Sequence, residues 1–136
     1  AVYIDGFAGP ETSFANEDIY QREWRWMSRR GVVEFRNPRG PSTLYLRALS
    51  PVDFTGGTQT VTIKMGEKEI GSFERADSSS YLVNFDVPSE GLGDGDWVEF
   101  TIEADKFFVP AKVTEGSTDT RELGLQVFWL YLERLS

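Results

Sequence analysis

Apolar residues in this chain recur at every second position in short runs, the spacing that sets alternate side chains on one face of a sheet. Between Thr60 and Met65 the inward set is Val61, Ile63 and Met65, with Thr60, Thr62 and Lys64 turned to water. Leu44, Leu46 and Ala48 alternate with Tyr45 and Arg47 in the same way. From Tyr81 to Val87 the residues Tyr81, Val83, Phe85 and Val87 oppose Leu82, Asn84 and Asp86. From Trp97 to Ile102 the inward set is Val98, Phe100 and Ile102. These runs predict half-buried antiparallel strands. Leu123 to Leu132 is apolar on both faces apart from Gly124 and Gln126, which predicts a central strand covered on both sides rather than an edge. Helical stripes are scarce, and Pro10 to Tyr20, which lacks clean alternation, reads as a long loop or a single helical turn.

Chain-reversing residues separate the runs: Asn37-Pro38-Arg39-Gly40-Pro41, Gly56-Gly57, Met65-Gly66-Glu67-Lys68, Asp77 to Ser80 and Glu90 to Asp96. Gly66-Glu67 predicts the sharpest hairpin, because glycine at the first central position suits a type II′ turn. Eight or nine short strands with turns at this spacing predict an all-β sandwich or barrel, and a single antiparallel β-sandwich is the expectation carried forward. No internal repeat, low-complexity tract or long linker divides the chain, so residues 1-136 read as one domain.

Composition narrows the chemistry. With 136 residues and 40% apolar content the chain can form a real core without staples. It has no cysteine and no histidine, which excludes disulfides, zinc-thiolate sites and imidazole-based catalysis or metal ligation. A net charge of -8 and a pI near 4.6 argue against a nucleic-acid partner. No stretch is apolar for the length a membrane-spanning helix needs, so no membrane insertion is expected. The chain starts at Ala1 without an initiator methionine, which points to a processed protein or an excised domain.

Two groups of short motifs carry a resemblance. Gly6-Phe7-x-x-x-Glu11 and Trp24-Arg25-Trp26-Met27 stand near the start. Phe108-Val109-Pro110-Ala111 and Asp119-x-Arg121-Glu122-Leu123-Gly124-Leu125-x-Val127 stand near the close. Together they resemble a family of bacterial accessory β-sandwich domains, similar to jelly-roll, galactose-binding-like carbohydrate-binding modules. Domains of this family accompany glycosyltransferases or other cell-surface polysaccharide machinery. The resemblance implies a jelly-roll sandwich, a polysaccharide or oligosaccharide partner, adjacent domains in a larger protein and an extracytoplasmic, cell-surface or secreted setting.

Alternation sets Trp24 and Trp26 on one face of their segment and Arg25 and Met27 on the other. Two indoles spaced this way can stack on successive sugar rings. The opposing reading makes Trp26 a core anchor and Arg25 the partner of a carboxylate. A planar guanidinium beside a ring can grip a hydroxyl pair or a carboxylate with fixed geometry. The family resemblance makes Glu11 and Arg121 the expected neighbours of Arg25. Asp119 and Arg121 stand just before the last strand, where a charged turn that fixes the chain and a ligand-facing arginine are both open readings. The ligand-binding set expected is thus Glu11, Trp24, Arg25, Trp26, Asp119 and Arg121.

No cofactor is expected. Asp94 and Asp96, set among glycines, are the one candidate for a calcium ion, but they supply only a fragment of the six to eight oxygens calcium wants. Counting from Asp94, the EF-hand glutamate position is Asp105 and the intervening residues read as a strand, so an EF-hand is excluded. Glycine-rich nucleotide signatures and the Glu-x-Asp-x-x-Glu pattern of one family of jelly-roll glucanases are missing too. Two function classes remain. One is a non-catalytic carbohydrate-binding accessory module. The other is a structural or protein-interaction sandwich, marked by a flat apolar patch that includes Phe128 and Leu130.

Overall fold

The computed structural model describes residues 1–13, 15 and 18–135. Nine strands run in chain order: β1 (Val2–Phe7), β2 (Glu11–Thr12), β3 (Glu23–Arg36), β4 (Ser42–Leu49), β5 (Gln59–Met65), β6 (Lys68–Arg75), β7 (Ser80–Val87), β8 (Trp97–Ala104) and β9 (Leu125–Arg134). Two short helical turns interrupt them, α1 (Val52–Thr55) and α2 (Pro110–Val113), together with one 3-10 turn at Ile19–Gln21. The Pro10–Tyr20 stretch thus contains the short strand β2 and the start of that 3-10 turn; its residues 14, 16 and 17 lie outside the described residues.

Every strand pairing is antiparallel, in the order β6-β5-β8-β3-β9-β4-β7, with β1 and β2 also paired to β3. The path folds into a sandwich because β3 serves both layers. Arg30–Arg36 pairs with β8, whereas Arg25–Met27 pairs with β9. Ser28 and Arg29, between the two ladders, form the corner. This 14-residue strand is longer than the short strands expected from the sequence, since its polar and glycine positions at Ser28–Gly31 mask its continuity.

Between the layers the alternating sets meet as predicted. Val61, Ile63 and Met65 from β5, Leu44, Leu46 and Ala48 from β4, and Val98, Phe100 and Ile102 from β8 are all buried, with Met27, Leu125 and Val127. Burying each large apolar side chain contributes about 1.5–3 kcal/mol relative to leaving it in water. Phe73 of β6 meets Tyr81 and Phe85 of β7 at ring-centroid distances of 5.3 and 6.0 Å, so side chains rather than hydrogen bonds close the gap between those strands. The β5–β6 hairpin turns on Gly66 with φ +63°, and Glu67 keeps a negative φ, the signature of the type II′ turn.

β9 is central, flanked by β3 and β4, but its outer face is not fully covered: Tyr131 is 54% exposed. A bulge explains the run of apolar residues on both sides. Arg47 opposes Trp129 and Ala48 opposes Val127, leaving Phe128 without a cross-strand partner. Leu130 belongs to the core, so it forms no part of a surface patch.

Candidate functional site

The site is built where three segments converge on the corner of β3. β1 reaches it edge-on, with the amide of Ala8 donating to the carbonyl of Trp26 at 2.8 Å. Gly6, at φ +79°, permits this approach, because a Cβ there would collide with the carbonyl of Arg30. From the other side the chain between β8 and β9 folds back on itself. Phe108 and Leu123 exchange backbone hydrogen bonds at 3.0 and 2.8 Å, and Gly124 donates to the carbonyl of Met27 at 2.7 Å.

That returning segment is fixed from inside the sandwich by Gln59, which is fully buried. Its Nε2 donates to the carbonyls of Lys106 at 2.9 Å and Gly124 at 2.5 Å, one at each end of the fold-back. Further out, Pro110 opens α2 at a position where a missing N–H costs nothing, and Ala111 donates to the carbonyl of Asp119 at 2.8 Å. Asp119 Oδ1 then accepts the backbone amide of Arg121 at 3.0 Å, the side-chain turn that suits an aspartate before a strand.

Between these segments lies an open cleft of about 400 Å³. Its lining comprises Gly6, Phe7 and Ala8 from the β1 side, Trp26 and Ser28 from β3, and Arg121, Glu122 and Leu123 from the returning segment. Trp26 is half-buried and is braced edge-to-face by Phe108 at 5.9 Å, which itself stacks on Phe54 at 4.8 Å. The tryptophan is therefore neither a core anchor nor a free platform. Its ring is propped from behind and contributes an apolar wall.

A charged network forms the rim. Arg121 Nε donates to Asp119 Oδ1 and Oδ2 at 3.0 and 3.1 Å, Nη2 donates to Oδ2 at 2.6 Å, and Nη1 lies 3.5 Å from Glu11 Oε2. The hydrogen bonds from Arg121 push the Asp119 carboxyl down to about 2, and Asp119 in turn raises the guanidinium further. Beside it, Glu122 Oε2 pairs with Arg29 Nε at 3.3 Å, and the Arg29 guanidinium lies 4.8 Å from the Phe107 ring centroid. These pairs are exposed, so each contributes only about 0–1 kcal/mol to stability. Their value is in fixing direction.

Of the six residues expected from the sequence, the structure joins Glu11, Asp119 and Arg121 in one network and sets Trp26 against the same cleft. Arg25 is elsewhere: its guanidinium lies over the Tyr3 ring at 4.5 Å and Nη1 donates to the carbonyl of Ala8 at 3.4 Å. It makes no ion pair with Glu11 and does not share a surface with Arg121, because it projects from the side of β3 opposite to Trp26. Trp24 opposes Glu11 in the β2–β3 ladder, but it is half-buried and is not part of the cleft lining. Ser28, Glu122 and Leu123 were not singled out as ligand residues. The quoted motif did contain Glu122 and Leu123, and the corner of β3 that brings in Ser28 leaves no periodic trace. Trp97 is 48% exposed, but it sits beside Arg36 at the far end of β3.

The aspartate-glycine loop before β8 is tied to the turn after β3 by side-chain contacts. Asn37 Nδ2 donates to the carbonyls of Leu92, Gly93 and Gly95, and Asp96 pairs with Arg39 at 2.8 Å.

No family model matches the chain, and no curated protein matches it. Among solved structures it is similar to a carbohydrate-binding module from Cellvibrio mixtus lichenase 5A, solved in complex with cellotriose. That match has 12% identity and a TM-score of 0.44 and covers 96% of this chain and 88% of the other. It is also similar to the C-terminal domain of EclA, a sugar-binding protein, with 12% identity, a TM-score of 0.44, and 90% and 89% of the two chains covered.

Proposed function

We propose that this chain is a non-catalytic carbohydrate-binding accessory module, with a sugar ring seated in the cleft against Trp26. One observation carries the reading: the Trp26 indole and Arg121, whose guanidinium is held in place by Asp119 and Glu11, line the same opening. Sugars ask for this combination, a flat apolar face to stack on and fixed polar groups around it for hydroxyls. The cleft is of ligand-pocket size. The partner in this reading is a polysaccharide or oligosaccharide met outside the cytoplasm, with the module serving a larger polysaccharide-handling protein.

A second reading, docking of an adjacent domain, is favoured by the outer face of β7, β4 and β9. There Leu82, Arg47 and Trp129 lie in one cross-strand row and Asn84, Tyr45 and Tyr131 in the next, with Leu82 48% and Tyr131 54% exposed.

A glycan-array screen of the purified domain, with calcium and again with chelator, separates the two. Specific signal that disappears in folded Trp26→Ala and Arg121→Ala variants supports the sugar-binding reading, and chelator sensitivity adds an ion. A blank array with folded protein transfers the assignment to the sheet face.

A further inference from the structure

The two strands that end the sheet path differ in how their open edges are guarded. Among the described residues β6 pairs with β5 alone and β7 with β4 alone, so each presents one row of backbone amides and carbonyls without a ladder partner. β6 carries Lys68, Glu69, Glu74 and Arg75 around Gly71, a charged and glycine-broken sequence that discourages further pairing. β7 is as long, yet it holds no glycine or proline and a single charge, Asp86. Its outward residue Leu82 is 48% exposed, and its inward residues Val83 and Phe85 are only partly covered. The Phe85 ring rests against Gly71 of β6, where a Cβ would collide with it. Side chains thus fix β7 against the other layer while its edge stays open.

The sequence of β7 is complementary to itself. In antiparallel pairing, residues directly opposite share a face, so a second β7 must meet the first with inward set against inward set. Centring a two-fold axis on Val83 does this from Ser80 to Asp86: Val83 meets its own copy, Leu82 meets Asn84, Tyr81 meets Phe85 and Ser80 meets Asp86. Among the described residues the Ser80 hydroxyl and the Asp86 carboxylate engage no hydrogen-bond or ion-pair partner, and this register gives each the other, the hydroxyl donating. Moving the centre to Asn84 sets the Asp86 carboxylate against Leu82 instead. The Val83 register also leaves the only charges at the ends of the overlap, so two chains of net charge -8 meet along an almost uncharged line.

We propose that β7 is a self-pairing edge, through which two copies of this chain join antiparallel about a two-fold axis at Val83. The outer faces of β9, β4 and β7 then run on into those of the second copy as one sheet. A second copy fits better than an unrelated extended segment, because the edge supplies both the serine and the aspartate that answer each other. This surface is separate from the cleft, and pairing here is independent of what the cleft binds.

The test is sedimentation equilibrium of the intact domain from micromolar to millimolar concentration. Wild type is expected to pass from monomer to dimer within that range, as suits a small isologous contact. Leu82 and Asn84 are both exposed and oppose each other across the axis, so Leu82→Lys with Asn84→Lys sets like charges face to face without touching the core. Dimerisation should weaken by roughly tenfold or more. Leu82→Glu with Asn84→Glu should do the same, and an equimolar mixture of the two double variants should recover a dimer holding one copy of each. Both double variants remain net acidic, so overall charge attraction cannot account for that recovery. A wild-type chain that stays monomeric throughout overturns self-pairing. So does a dimer that neither double variant weakens, or one whose loss the mixture fails to restore.

Discussion

Gln59 holds the carbonyl of Gly124 at 2.5 Å from within the core, and the same amide nitrogen holds Lys106. The residue heads an alternating strand in phase with Val61, Ile63 and Met65, and it is fully buried with them. Its role is to clamp both ends of the segment that carries Asp119 and Arg121. Replacing Gln59 with leucine roughly conserves volume and leaves the buried carbonyl of Gly124 and the partly buried carbonyl of Lys106 without this donor, the buried one costing about 1–3 kcal/mol when unpaired. The expected result is a lower urea midpoint together with faster amide exchange at Leu123 and Gly124. Unchanged exchange at those amides would show that the clamp is not what orders the segment.

Asp119→Asn keeps the shape of the turn and removes the charge that orients Arg121. Since Arg121 is exposed and Asp119 only partly covered, stability should scarcely move. Ligand affinity in the cleft should fall clearly, as read by titration with the best array hit. A large drop in stability with affinity intact would make the pair a structural staple.

The acid limb follows from the same pair. Asp119 is pushed below its ordinary value of 3.8 to about 2, so the stability it confers is present above the unfolded value and is lost as pH falls through about 2. Carboxyl titration by NMR should place its midpoint near 2 in the native protein and return it toward 3.8 in Arg121→Ala.

At the alkaline end Tyr81 governs. Its buried hydroxyl shares a 2.9 Å hydrogen bond with Ser50, and burial raises its pKa from 10.0 to about 12. Stability is therefore full below pH 10.0 and declines as pH rises toward about 12, by roughly 2–3 kcal/mol across the window. Denaturant midpoints measured through that range should show the slope, and Tyr81→Phe should flatten it.

Gly124→Ala tests the convergence at the corner of β3. The added methyl would meet the carbonyl of Ser28, which is backbone and cannot swing away. A loss of about 3 kcal/mol is expected. Trp97→Ala, by contrast, removes a half-exposed ring and its contact with Arg36, costing about 1 kcal/mol or less. It should leave glycan binding untouched.

The sandwich was legible wherever alternation is strict: β4, β5 and β8 bury the residues their patterns nominate, and β7 buries Tyr81 and Val87 with Val83 and Phe85 partly covered. The Gly66 hairpin was equally plain. The short motifs at opposite ends of the chain made Glu11 and Arg121 the expected neighbours of Arg25; the structure pairs Glu11 with Arg121 but sets Arg25 over Tyr3. What stayed hidden depends on register. Arg25 and Trp26 are adjacent in sequence and therefore project to opposite sides of β3, so a cluster containing both cannot form on one surface. The corner at Ser28–Arg29 and the bulge at Phe128 are set by which strands meet, and no local pattern announces them, whereas the inward position of Gln59 follows the alternation of β5 and only its hydrogen-bond partners were hidden.

The sharing of β3 between the two layers has a mechanical consequence. If the proposed sugar-binding function holds, a polymer drawn across the cleft would pull on Trp26 and on the segment hydrogen-bonded to Met27, and thus on the middle of β3. That strand is laced to β8 over one half and to β9 over the other, so tension along it loads both ladders in shear. Hydrogen bonds strained along a strand share the force among many at once, whereas those at a peeled edge break one by one. The cleft is thus mounted at the point of the fold best braced against drag, and resistance to extension in a single-molecule pull should be highest when force is applied through β3.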